Sequence, residues 1–200
     1  KNRTSGEHSI SGRVLIMNVQ MVFQRFFVPQ LITNIYYLFR YRCLISGKAE
    51  VELSGNIRFG KWVTISSFTK LKATEGPLVI GTASGFATSC FVAASSGGIH
   101  IGNDCLFGPN VNIVASNYRT DRLDIPFKDQ GSSSKGITIG NNVWVGAGTT
   151  ILDGTIIGDN TIVVANSLLN RHYRPNVVLQ GNPAKVILRR NLEETEKEKE

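Results

Sequence analysis

Two patterns of apolar and polar residues divide the chain near residue 48. From residue 49 onward, apolar residues recur every six positions in groups of three hexads, and the groups begin at Phe59, Ile80, Ile101, Ile139 and Ile157. The first position of all fifteen hexads is apolar. A six-residue period sustained through five groups is typical of a repeat architecture and does not fit amphipathic helices or simple alternating strands.

The fifth hexad position is small or β-branched in twelve of fourteen cases, and the exceptions are Glu75 and Asn117. The two positions together predict an all-β fold, a triangular parallel β-solenoid in which each hexad forms one short strand and one corner. A large apolar residue fills the prism, and a small residue lets the walls approach. Glycine at the turn is expected to tolerate a strained backbone. Coils should stack at roughly 4.8 Å.

Departures from the period locate loops. Three hexads make one coil of 18 residues, which is the interval from Ile139 to Ile157. The intervals from Phe59 to Ile80 and from Ile80 to Ile101 are each 21 residues, which is one coil and three inserted residues. The interval from Ile101 to Ile139 is 38, which predicts an excursion over residues 119–138 that is rich in serine, glycine and charge. A long loop on a rigid scaffold is where a functional site is expected.

Residues 14–45 are the most apolar part of the chain. The longest uncharged run, 26–39, is too short for a membrane-spanning helix, and Pro29 should interrupt or start a helix. Two interpretations stay open: short helices packed on the main domain, or an interfacial anchor with arginines near lipid headgroups. The apolar residues with helical spacing are Val22, Phe23, Phe26, Phe27, Leu31, Ile32, Ile35 and Phe39.

Charge favours anionic partners, because the chain of 200 residues has a formal net charge of +7. Residues 1–48 contain seven basic residues and one acidic residue, whereas the acidic end of the chain, 191–200, is expected to be a charged helix or tail.

Three cysteines do not form a disulfide framework and favour a reducing cytoplasm, and a polar start predicts no cleavable signal. Three scattered histidines argue against a metal site and disfavour a γ-carbonic-anhydrase-like function. No nucleic-acid motif is recognised.

Three segments together identify a family resemblance: ITIGNNVWVGAGTTILDGTIIGDNTIV at 137–163, PFKDQG and SKGI in the loop, and GNPAKVI at 181–187. Over residues 50–190 the chain resembles the hexapeptide-repeat acyltransferases, in the branch of maltose, galactoside and polysaccharide O-acetyltransferases. The resemblance implies a left-handed parallel β-helix over 49–190. The apolar, basic segment 1–48 precedes it, and its apolar spacing predicts that it is partly helical. It also implies a homotrimer with acetyl-CoA and a sugar acceptor in clefts between subunits.

The resemblance also implies cofactor-binding residues. Small residues along the coils would let the pantetheine arm reach backbone amides, and cationic side chains would suit the CoA phosphates. Repeat geometry alone is the alternative for the small residues, and a solvated basic surface is the alternative for Lys185 and Arg189. The implied residues are Trp144, Gly146, Ala147, Ala165, Asn170, Arg171, Lys185 and Arg189.

The acceptor side departs from the family's pattern. The family's general base is a histidine at the lip of the long loop, eight residues before a Pro-containing pair, and that position here is Tyr118, beside Asn117. Neither side-chain type is a base near neutral pH. The nearest matches to the family's acceptor-binding residues one coil earlier are Thr88, Ser95 and Ser96.

Three explanations of the missing histidine stay open. His100 is predicted to face outward, one coil below the loop, and could be a relocated base. Asp121 or Asp124 in the loop, or Tyr118 itself, could assist instead, and Asp121 is also a candidate for acceptor binding. The chain could alternatively be a trimer that binds CoA or glycan without turnover.

The resemblance favours acetyl transfer to a sugar hydroxyl in surface polysaccharide or lipid-linked glycan synthesis. The expected location is the cytoplasm or the inner face of the membrane.

Overall fold

The structure is a computed structural model that describes residues 29–73 and 75–190. The prediction for the charged tail and the part of the N-terminal prediction that falls on residues 1–28 lie outside these residues. The described chain winds as a triangular prism whose three flat faces are parallel sheets. Six coils stack along the prism, so the predicted parallel β-helix is confirmed.

Each face is formed by strands that recur once per coil. Face A contains β1 (Leu44–Ile45), β4 (Thr64–Ile65), β7 (Gly85–Phe86), β10 (Leu106–Phe107), β15 (Trp144–Val145), β18 (Ile162–Val163), β21 (Val177–Gly181) and β22 (Ala184–Arg189). Face B contains β2 (Glu50–Val51), β5 (Lys70–Lys72), β8 (Phe91–Ala93), β11 (Asn112–Val114), β16 (Thr150–Leu152) and β19 (Leu168–Leu169). Face C contains β3 (Ile57–Phe59), β6 (Leu78–Ile80), β9 (Ile99–Ile101), β14 (Ile137–Ile139), β17 (Ile156–Ile157) and β20 (His172–Tyr173). β22 returns antiparallel to β21 and closes the last coil.

The hexad pattern fills the prism as predicted. All fifteen first-position residues are buried. Most fifth-position residues are also buried, and some donate hydrogen bonds to corner carbonyls, such as Ser84 Oγ to Gly102 O at 2.8 Å. The exposed fifth positions are Glu75, Ser96 and Asn117, so Ser96 does not take the interior role that its size suggested. All three belong to third hexads, where inserted residues displace the corner.

The glycine of each Ile-Gly pair has a different purpose from the one predicted. A Cβ on Gly81 would lie 2.5 Å from the backbone of Gly102 in the next coil, and one on Gly102 would lie 2.6 Å from Gly140. These glycines are therefore required by close stacking of the coils. The left-handed backbone falls two residues later, on residues such as Asp104 and Asn142.

One helix, α1 (Gln30–Tyr41), covers the open end of the first coil, and it begins directly after Pro29. Its inner side is polar and satisfies strand carbonyls that have no preceding coil to pair with. Tyr37 Oη donates to Glu52 O at 2.9 Å, and Asn34 Nδ2 donates to Ser46 O at 3.2 Å. Burial raises the pKa of Tyr37 to about 12, so the phenol stays a donor. Within the described ranges, no helix is long and apolar enough to cross a bilayer.

Candidate active site

The long loop leaves the prism at the corner between faces B and C and is anchored at both ends. It opens as a two-stranded hairpin, β12 (Asn117–Tyr118) with β13 (Ser132–Ser133), and face C resumes at Ile137. The excursion thus begins before the predicted residue 119 and ends before residue 138. Ser134 Oγ donates to Ala115 O and accepts from Gly97 N at 2.9 Å, which attaches the returning chain to two coils.

Inside the loop, Gln130 holds the turn in shape. Its side chain donates to Arg122 O at 2.7 Å and to Ile125 O at 3.1 Å, and it accepts from Arg122 N at 3.1 Å. The Arg122 guanidinium also pairs with Asp124. This ion pair holds the pKa of Asp124 below its ordinary value. A carboxylate with a lowered pKa is a weaker proton acceptor, so Asp124 is a poor general base.

Tyr118 lies at the loop base with its side chain exposed, and Asn117 and Asp121 are also exposed. Directly below, Ser95 is buried and its Oγ donates to Glu75 Oε2 at 2.8 Å. The paired strands β5, β8 and β11 end at this corner in register, and Glu75, Ser96 and Asn117 each follow the end of their strand by three residues. The structure therefore brings Ser95 beneath the loop, together with a carboxylate that sequence reasoning missed.

His100 and Thr88 lie apart from this corner. His100 is exposed at the centre of face C, between Val79 in the coil below and Thr138 in the coil above, as its predicted parity required. Thr88 is exposed at the corner between faces A and B, where its hydroxyl donates to Ser67 O at 2.8 Å. One chain does not bring Thr88 and Ser95 together, because they occupy different corners of the triangle.

The small residues predicted to line the pantetheine arm stack in one column. Gly146 and Ala147 follow β15 at the corner between faces A and B, and Ala165 lies above them. A Cβ on Gly146 would lie 2.5 Å from Ala165 N, so repeat stacking alone already requires glycine there. Trp144 is exposed on face A beside this column.

A cationic cleft lies at the C-terminal end of the prism. Its volume is about 550 Å³. One wall is formed by β20 and the turn that follows it, and the other wall is formed by the hairpin strand β22. Its floor includes the buried residues Tyr173 and Ala184. No acidic residue is among its lining residues, and no lining cation has a carboxylate partner within the described part of the chain. The cations that line it are Arg171, Arg174, Lys185, Arg189 and Arg190.

Three of the predicted cofactor residues, Arg171, Lys185 and Arg189, therefore share one cleft, whereas Asn170 is exposed just before it. The cleft also contains Arg174 and Arg190, which sequence reasoning missed. A signal was present, because no acidic residue occurs between Asp159 and Glu193 while basic residues accumulate there. Such a surface attracts phosphate groups.

The cysteines do not belong to any exposed site. Cys43, Cys90 and Cys105 are free and buried in the prism, and burial raises the pKa of each thiol, that of Cys43 to about 11. Cys105 Sγ lies 3.1 Å from Gly140 O and Cys90 Sγ lies 3.2 Å from Gly108 O, so these thiols serve as donors. None is placed to form an acyl-enzyme. The described residues also contain no group of three or more His, Cys, Asp or Glu suited to a metal ion.

We expect the folded protein to resist a thiol reagent such as Ellman's reagent at pH 8. Because the thiol pKa values are raised, little thiolate is present at pH 8, and burial excludes the reagent. The measurement compares the rate of colour release before and after unfolding in guanidinium. All three thiols should react only in the unfolded chain, and rapid release from the native protein would contradict their burial.

Comparison with known proteins gives the same architecture. The family described as bacterial transferase hexapeptide (six repeats) matches residues 136–171. A candidate acetyltransferase of Dictyostelium discoideum is 42% identical over 90 residues, which is 44% of this chain and 46% of that protein. The chain thus spans about half the length of that relative. A candidate lipopolysaccharide-biosynthesis O-acetyltransferase of Escherichia coli, WbbJ, is 29% identical over 82% of this chain and 86% of its own length.

Among solved structures, the D94A mutant of AntD, an N-acyltransferase from Bacillus cereus, superposes with a TM-score of 0.67. It is 20% identical, and the match covers 82% of this chain and 92% of AntD. That AntD structure holds dTDP and coenzyme A. The identity is low, so this likeness supports the fold alone. The repeat match and the similarity to these candidate acetyltransferases confirm the resemblance to the hexapeptide-repeat acyltransferases, and the structural likeness confirms the fold.

Proposed function

We propose that this chain is a hexapeptide-repeat acyltransferase that transfers an acetyl group from acetyl-CoA to a sugar hydroxyl, in the synthesis of surface polysaccharide or a lipid-linked glycan. The observation that carries the proposal is the cationic cleft at the end of the prism. The thioester donor, acetyl-CoA, carries several phosphates that such a cleft would bind. The named functions of WbbJ and of the Dictyostelium relative agree with acetyl transfer.

The phosphates would bind in the cleft. Arg171, Lys185 and Arg189 are exposed there, so their charges are available to a ligand. Arg190 already donates through Nη1 to Asn160 O at 2.7 Å, and its role is therefore partly structural. From the cleft of one subunit the pantetheine arm would extend along the column of small residues of its neighbour, which includes Gly146, Ala147 and Ala165. Cleft and column lie on different corners, which supports a homotrimer in which a neighbouring subunit completes the site.

In the reaction, the acceptor oxygen would attack the thioester carbonyl carbon. The C–S bond breaks, the hydroxyl proton passes to a base, and the CoA thiolate takes up a proton, so atoms and charge balance. Direct transfer is favoured because Cys43, Cys90 and Cys105 are buried and poorly ionised. Tyr118 occupies the family's histidine position, and we assign the base to His100, whose imidazole is exposed below the loop.

Calorimetric titration of the purified protein with acetyl-CoA tests the cofactor assignment. We expect saturable micromolar binding of about one acetyl-CoA per chain. CoA lacking its 3′-phosphate should bind more weakly, since it loses one charged partner of the cleft. No binding of acetyl-CoA at millimolar concentration would mean that the repeat serves as a scaffold, and the transferase proposal would then be dropped.

A further inference from the structure

Helix α1 presents its apolar side outward. The four apolar residues with helical spacing that the structure describes are all exposed: Leu31, Ile32, Ile35 and Phe39. The side that packs on the first coil is formed by Thr33 and Tyr37, which are buried, with Asn34 beside them. The helix therefore does not pack through the residues that its pattern suggested, because capping strand carbonyls required polar groups on the inside.

The outer face of α1 is continuous and uncharged. At about 100° per residue, its members occupy an arc of about 160°. Phe39 is 83% exposed, and no member is less than 42% exposed. An apolar surface of this kind on one end of a protein marks a contact with another apolar phase or partner. The outer face consists of Leu31, Ile32, Ile35, Tyr36, Leu38 and Phe39.

Cations and exposed aromatic rings border this face. Arg42, at the C-cap of α1, lies 5.8 Å from the ring centroid of Trp62, and Lys48 lies 5.7 Å from that of Phe68. Trp62 and Phe68 are 55% and 61% exposed and occupy the two corners that flank β4. Arg40 follows Phe39 directly, at the edge of the apolar arc. Aromatic rings and basic residues around an apolar helix face are the features of a helix that lies in a membrane interface.

We infer that the N-terminal end of the prism binds an anionic lipid surface, with the outer face of α1 in the headgroup and acyl boundary. Arg40, Arg42 and Lys48 then meet lipid phosphates, which a neutral apolar partner would leave unmatched. The sequence before the helix, residues 1–29, is also basic and apolar, with four basic residues and one acidic residue. The inference is independent of acetyl transfer, although a bound lipid surface would bring the protein to a lipid-linked acceptor.

Vesicle flotation with the full chain tests the inference. The protein should float with phosphatidylcholine vesicles that contain phosphatidylglycerol and bind at least ten-fold less to phosphatidylcholine alone. The double variant Ile35→Glu with Phe39→Glu should lose at least ten-fold in bound fraction, because both changes put charge on the outer face. Arg40→Gln with Arg42→Gln should weaken partition to the anionic vesicles about 30-fold.

Leu123→Glu with Phe127→Glu is the matched control, since it adds the same two charges at exposed residues of the loop, away from α1. It should float like the wild type. Equal flotation of wild type and the Ile35→Glu, Phe39→Glu variant would overturn the inference. So would a fall in the variant's molecular mass by sedimentation velocity, which would identify the outer face as a contact between subunits. Acetyl-CoA titration of the same variant should be unchanged, and this keeps the test separate from the proposed function.

Discussion

Neutralising three cations of the cleft should lower acetyl-CoA affinity by about 150-fold. The variant is Arg171→Gln, Lys185→Gln and Arg189→Gln, and these side chains line the cleft without a carboxylate partner among the described residues. Each charge-assisted contact to phosphate contributes about 1 kcal/mol after allowance for exposure. Three such losses, about 3 kcal/mol together, correspond to about 150-fold in the dissociation constant. Calorimetric titration measures it directly.

The matched control removes the same charge elsewhere. Lys48→Gln, Arg58→Gln and Lys61→Gln lie in the first coils, at the other end of the prism, and all three side chains are exposed. This variant has the same net charge as the cleft variant, so any general electrostatic attraction for an anion falls equally in both. Equal loss of affinity in the two variants would show that the cleft is not the phosphate site. The thermal midpoint of each variant should stay near that of the wild type, because the substituted groups are exposed.

The interior of the fold could be predicted from the sequence because the repeat encodes it twice. The first position of every hexad is apolar and buried, and each coil repeats the same contacts, so a single misplaced residue could not hide the period. The purpose of the glycines could not be predicted in the same way. Gly81 and Gly102 depend on how closely two coils approach, which is a distance between residues far apart in the chain.

Helix α1 shows the opposite limit of sequence reasoning. Its apolar spacing correctly predicted a helix, but apolar residues were expected to determine how that helix packs. Instead, α1 packs on the first coil through polar residues, because carbonyls at the open edge of that coil accept hydrogen bonds from Asn34 and Tyr37. The cationic cleft could be predicted from the sequence only in part. Its charges are visible in the sequence, but the return of β22 alone brings Lys185 and Arg189 beside Arg171.

His100→Gln should lower the rate of acetyl transfer by about 10²–10⁴-fold, the range over which general-base catalysis acts. Glutamine keeps polarity and approximate size but cannot accept the acceptor proton. His100 is exposed on face C, so the substitution leaves the buried coil unchanged. The measurement is release of CoA thiol with a panel of simple glycosides as acceptors.

Tyr118 supplies the control and the rescue. Tyr118→Phe removes only the phenol and should leave the rate near that of the wild type, because the hydroxyl is not the assigned base. Tyr118→His, introduced into the His100→Gln chain, places an imidazole on the anchored loop base and should restore transfer by at least ten-fold. If His100→Gln transfers acetyl as fast as the wild type while Tyr118→Phe does not, the proton passes to the loop and the assignment to His100 is wrong. Acetyl-CoA affinity measured on the same variants should not change in either case, because the cationic cleft lies two coils beyond the loop base.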